Sequence, residues 1–332
     1  MFGLGKLFGK SGATNTKQKL KFPPAFSINT AQRSIQPEEI NQNYYSLLLG
    51  VNSPLDNNLN NFEKKSLAEL EDTLNNRDRL AGMLPRLPLV LPRLMKLLRE
   101  EKSTAHDIAA LIKEDPTLVA DVMRLTESPF YKTRNKITSL EHAVVMLGRE
   151  GVKRLVASAI LKPLLNNKNG FFMKMSSALL WDHAEKNSQV AYEITRGEDQ
   201  TRFHAYLAGL LGNLGFTVGL KILDKTFTSD EAPHNLPFFP KFEKYCRLMS
   251  AEIAQAWGMP NPVIDSLKVQ AEKRSSNVSE LDLGLYIADL ITKTSLLRKQ
   301  LGIHDDPVSF RLDEHISTRL LNSYLKLTEP NA

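Results

Sequence analysis

From residue 38 onward the apolar positions of this chain recur at helical spacing, and no segment alternates in the way a half-buried strand requires. Behind Pro37-Glu38-Glu39, which suits a first helical turn, Ile40, Tyr44, Leu47 and Leu48 fall on one face. A second helical stretch from about Phe62 to Leu80 aligns Leu67, Leu70 and Leu74. Apolar faces need cover. Residues 38–82 are therefore expected to be a helical N-terminal extension docked on the helices C-terminal to it, with a free interaction arm as the alternative.

Between about 84 and 165 the pattern is a run of short helices with short connections. Leu84-Pro-Arg-Leu-Pro88 opens it, and Val90, Leu94, Leu97 and Leu98 come next at helical spacing. Thr104 stands three residues before Asp107 as a capping pair, ahead of Ile108, Leu111 and Ile112. Asp115-Pro116 supplies a cap and a first-turn proline before Leu118, Val119, Val122 and Met123. Ser139 can cap a helix that carries Ala143, Val144 and Leu147 and ends at Gly148; Gly151 begins another, through Val152, Leu155, Val156, Ala159 and Ile160.

These segments resemble the HDOD family. The resemblance rests on Leu84-Pro-x-Leu-Pro88, Ile112-x-x-Asp-Pro-x-Leu118, Ser128-x-Phe-Tyr131 and Ile137-x-Ser-Leu-x-x-Ala-Val-x-x-Leu-Gly148. It continues through Trp181-Asp-His183, Ala208-Gly-Leu-Leu211, Trp257-Gly-Met-Pro260 and Ala288-Asp-Leu290. It implies an all-α fold with an HDOD domain over 83–300, made of an N-terminal helical subdomain at 83–165 and a degenerate HD-like subdomain at 166–300. Residues 1–37 are expected to be a basic flexible tail and linker, and 301–332 a C-terminal helical tail.

Proteins of the HD superfamily bind divalent metal through histidines and aspartates on neighbouring helices, and the metal turns water into a nucleophile for phosphate esters. In the matching segment, Gly212 stands at the histidine position and Asn213 at the aspartate position. Glycine offers no ligand, and an amide replaces the anionic carboxylate that hard cations favour. His183 and Asp289 remain, and one histidine with one carboxylate is too sparse for a hydrolytic centre. The expectation is a relict site of His183, Gly212, Asn213 and Asp289, with no catalytic residue, no metal and no cofactor. Its polar groups would be satisfied by one another or by backbone, a small-ligand pocket being the alternative. Trp181 and Trp257 are expected in the core, or lining a ligand or partner groove.

Other chemistries lack their signatures. Gly209-x-x-Gly212-x-x-Gly215 does not have dinucleotide-binding spacing, and there is no phosphate-binding loop, nucleophile elbow or C-x-x-C pair. His106, His142, His204, His234, His304 and His315 form no H-x-H or H-x-x-x-H pair. Cys246, the one cysteine, excludes an intramolecular disulfide and fits a cytoplasmic home as a structural thiol.

At 332 residues, with 42% hydrophobic and 24% charged composition, the chain can bury one large core or two smaller ones. No run of about 18 to 20 apolar residues is expected to cross a membrane. The net charge of +6 invites a nucleic-acid partner, but Lys6, Lys10, Lys17, Lys19, Lys21 and Arg33 account for it; without these six, 37 basic residues face 37 acidic ones. Nucleic acid is therefore not the expected partner, although Lys132, Arg134 and Lys136 beside Tyr131 form a short basic cluster. Residues 1–10 could touch an acidic membrane surface, against which three glycines oppose a stable helix. The resemblance implies a non-enzymatic signalling adaptor that meets a kinase, response regulator or cyclic-dinucleotide enzyme in trans, through the groove between its two helical units. A metal-dependent phosphohydrolase and a nucleic-acid-binding regulator are the alternatives.

Overall fold

The computed structural model describes residues 37–83, 93, 97, 104–128, 130–131, 137–166, 169–228, 231–272 and 279–301. The basic tail, the Lys132–Lys136 cluster and the C-terminal segment 302–332 lie outside them. In order come α1 (Pro37–Leu48), α2 (Asn61–Asn75), α3 (Arg77–Met83), α4 (Ala105–Lys113), α5 (Pro116–Leu125) and α6 (Leu140–Leu165). After these come α7 (Phe171–Ile194), α8 (Asp199–Leu211), α9 (Leu214–Thr226), α10 (Phe238–Ala256), α11 (Asn261–Glu272) and α12 (Glu280–Leu301). Apart from one bridge between Leu55 and Asn235, no β structure occurs among the described residues.

The helix starts sit where local chemistry places them. Thr104 and Asp107 form a reciprocal capping box on α4, and the Asp115 carboxylate accepts from Thr117 N and Leu118 N ahead of Pro116. Ser139 caps α6 by accepting from His142 N. Gly148 breaks α6 with φ 63° and ψ −177°, a left-handed conformation that disfavours a side chain. The stretch expected as one helix from 62 to 80 is two: Asn76 is extended at φ −109° and ψ 103°, and its side chain accepts from Arg79 N to start α3. An asparagine gains more from capping than from an interior helical position.

α4 and α5 pack on α6, while α7 to α12 form a second bundle in which α12 lies against α1, α7, α8 and α11. Gly215 and Gly219 let α9 approach α10 closely. A Cβ at Gly215 would lie 1.9 Å from Cys246 O, and one at Gly219 would lie 2.4 Å from Cys246 Sγ. Asp224 on α9 caps α7, accepting from Phe172 N at 2.7 Å. One run, Asp199–Thr226, is apolar enough by length and composition to cross a membrane, contrary to the expectation of none; it is α8 and α9, turned at Gly212-Asn213 and 89% buried inside the fold.

The N-terminal extension docks, through α2 on α9 and α10 and through α1 on α10 and α12. A single buried carboxylate clasps it. Glu63 completes the α2 capping box by accepting from Asn60 N at 2.9 Å, and also accepts from His234 N, Asn235 N and Asn235 Nδ2, each at 2.8 Å. The segment 233–237 that leads into α10 is thereby held against the extension, and Phe238 and Phe239 at the start of α10 are buried. Glu63→Ala would strand these donors away from water and is expected to lower stability by about 3 kcal/mol. The urea unfolding midpoint reads it, and an unchanged midpoint would mean that Glu63 does not clasp the loop.

Candidate functional site

The four residues expected to form a relict site come from three places. His183 lies at the middle of α7, Gly212 and Asn213 form the turn between α8 and α9, and Asp289 is on α12. His183, Asn213 and Asp289 are all buried. Asn213 Nδ2 donates to Leu180 O at 3.0 Å and to His183 Nδ1 at 2.9 Å, and the carbonyl partner fixes which way the amide points. His183 therefore carries its proton on Nε2, which faces Asp289 Oδ1 at 3.1 Å. Gly212 contributes only backbone: its carbonyl accepts from Ser250 Oγ at 2.8 Å.

Two basic side chains complete the site. Asp289 Oδ2 accepts from Arg247 Nη2 and pairs with Lys293 Nζ, both at 2.8 Å. Glu243 Oε1 accepts from Arg247 Nε at 2.9 Å and lies 3.5 Å from Lys293 Nζ. Two carboxylates and two cations thus alternate inside the bundle. Lys293 spends its remaining donors on α1, on Asn41 Oδ1 at 2.6 Å and Tyr45 Oη at 3.1 Å, with its ammonium 5.3 Å and 4.7 Å from the Tyr44 and Tyr45 ring centroids. The Tyr44 ring lies 5.1 Å from the imidazole of His183. α1 therefore covers the site with two buried tyrosines.

This arrangement does not fit a divalent cation. Asn213 turns its N–H face to the imidazole, Asp289 is already shared by two side-chain cations, and a third cation would meet their repulsion. Among the described residues no group of three or more His, Cys, Asp or Glu side chains converges as a metal site.

The other singled-out residues lie elsewhere. Trp181 is buried with the Lys162 ammonium 5.2 Å from its ring, and Trp257 caps the end of α10 while packing on the core. Cys246 is wholly buried at the α9–α10 crossing, and burial pushes its thiol well above the ordinary value. Side chains of the two helical units meet at their junction. Tyr206 Oη lies 2.5 Å from Ser158 Oγ and 3.1 Å from Tyr131 Oη, which accepts from Gln189 Nε2 at 2.9 Å. Arg154 and Arg202 flank the Tyr192 ring at 4.0 Å and 4.1 Å.

Burial shifts the titrations. It lowers His183, against the pull of Asp289. Burial alone would raise Asp289, but Arg247 and Lys293 overcome it and hold the carboxyl well below its usual range. Burial also lowers Lys293, opposed by Asp289 and Glu243. A histidine depressed in the folded state leaves the unfolded chain with more bound protons below about pH 6.5, so His183 stabilises the fold fully above that pH and less as pH falls. Glu185, pushed up to about 7 by burial, acts in the opposite sense. The difference between the wild type and His183→Gln isolates the histidine. The wild type is expected to lose up to about 1.4 kcal/mol per pH unit more than the variant below pH 6.5, in urea unfolding at a series of pH values. Parallel curves would show that His183 titrates alike in both states.

The HDOD domain model matches residues 84–273. An uncharacterized protein of Treponema pallidum (strain Nichols) is 26% identical over 194 residues, covering 56% of this chain, which spans only 37% of that relative's length. A crystal structure of an HDOD domain protein of unknown function from Geobacter sulfurreducens matches with a TM-score of 0.53 at 19% identity, covering 79% of this chain and 89% of that one. A Shewanella amazonensis SB2B structure, provisionally described as a metal-dependent phosphohydrolase, matches with a TM-score of 0.54 at 19% identity over 80% and 98% of the two chains. At such identities the structures establish a shared fold. With more than half of its length matched by the family model, and with the helical architecture of those structures, this chain belongs to the HDOD domain family.

Proposed function

We propose that this protein is a non-enzymatic signalling adaptor of the cytoplasm that acts by protein–protein contact on a kinase, response regulator or cyclic-dinucleotide enzyme supplied in trans. The observation that carries the reading is the closed charge set at the relict site. Asp289 faces His183, Arg247 and Lys293 at 2.8 to 3.1 Å, so no carboxylate is left to polarise a metal-bound water. Tyr44 and Tyr45 occupy the approach, which weighs against a small ligand in the same place. Partner contact would run through the groove between the two helical units or through an outer helical surface such as α6, where Val145 is 78% exposed.

The discriminating experiment pairs metal content with turnover. Protein purified without chelator, and again after manganese, iron or zinc is added, is expected to carry far less than one metal per chain and to leave cyclic and linear dinucleotides intact. Stoichiometric metal with turnover would replace the adaptor by a phosphohydrolase. Cross-linked partner capture then tests the adaptor itself, and a screen in which no signalling protein is enriched counts against it.

A further inference from the structure

Lys293 is wholly buried, where an ammonium survives only if every donor is matched. Its three donors meet three acceptors within 3.1 Å: Asp289 Oδ2 on its own helix, and Asn41 Oδ1 and Tyr45 Oη on α1. Arg247 is bound to Glu243 one turn before it and reaches across to the same Asp289 oxygen at 2.8 Å. Together the two side chains bring two positive charges to two buried carboxylates, the charge that one divalent cation would bring. Both acid–base pairs have i,i+4 spacing, so each carboxylate carries its counter-charge on its own helix.

We infer that Arg247 and Lys293 are a built-in replacement for a divalent cation at this site, and that Lys293, unlike an ion, also fastens α1 over it. The metal-type pocket has thus become the seat of the N-terminal helix. A bound metal would leave α1 free to come and go with metal supply. A lysine on α12 makes the closure permanent.

The test uses the full chain, with thermal unfolding, metal content and hydrogen exchange of residues 37–48 as readouts. Wild type is expected to be indifferent to EDTA and to Mn²⁺. Lys293→Met should lower the thermal midpoint by several degrees and speed exchange in α1 at least about tenfold while α4 and α5 stay protected. Asn213→Asp/Lys293→Met places a second carboxylate beside His183. It should bind Mn²⁺ stoichiometrically and recover its midpoint when Mn²⁺ is added. A Lys293→Met chain as stable and as protected as wild type overturns the inference, as does a double variant that neither binds Mn²⁺ nor recovers. Should Lys293→Met fail to fold, Lys293→Met/Asp289→Asn removes both charges: folding of that variant supports neutralisation as the lysine's role, and failure overturns it. Failure of this inference leaves the adaptor reading intact, because that reading falls only on turnover or on an absence of signalling partners.

Discussion

A negative charge buried in the middle of a helical bundle constrains everything around it. Asp289 is on α12, which packs against α1, α7, α8 and α11, and its carboxylate is buried. An isolated charge there would cost many kcal/mol, so the surrounding helices must supply its partners. Three helices do so: α7 with His183, α10 with Arg247 and α12 itself with Lys293. The position of α1 is tied to the same cluster, since Asn41 and Tyr45 accept from Lys293.

The second constraint is steric. Helices close enough to share such a cluster need small residues where they cross, and Gly215 and Gly219 supply them against Cys246. At Gly209 a Cβ would lie 2.8 Å from Ser188 Cα, so α7 and α8 meet by the same means. Gly209 and Gly215 of the glycine-rich segment are therefore packing residues. Gly212 is different: its backbone is right-handed helical, and a Cβ there would meet nothing closer than 3.2 Å. Its glycine is not demanded by conformation, and what it changes is the chemistry of the pocket.

Much of this architecture was legible in the sequence because it is written in local terms. Helix starts at Pro37, Thr104, Asp115 and Ser139 and the break at Gly148 depend on residues within a few positions of one another. That His183, Asn213 and Asp289 belong together was expected from the resemblance, which sets Gly212 and Asn213 at the positions of an HD histidine and aspartate. Arg247 and Lys293 were not legible as site residues, although a signal existed: Glu243 with Arg247 and Asp289 with Lys293 each put an acid and a base one turn apart, on helices that carry other charged residues as well. Such pairs usually mark a solvated face, and sequence spacing does not distinguish that face from a buried one.

The sequence by itself determined the helical class, the capped starts and the family, all of which rest on short-range pattern or residue identity. Only the tertiary structure decided that Asn213 turns its amide hydrogens to His183, that two side-chain cations share Asp289, and that α1 closes the site. Those outcomes depend on contacts such as Asn41 with Lys293, 252 positions apart in the chain. Side chains so distant along the chain meet only through packing, and packing also sets the burial that gives a charge its energy.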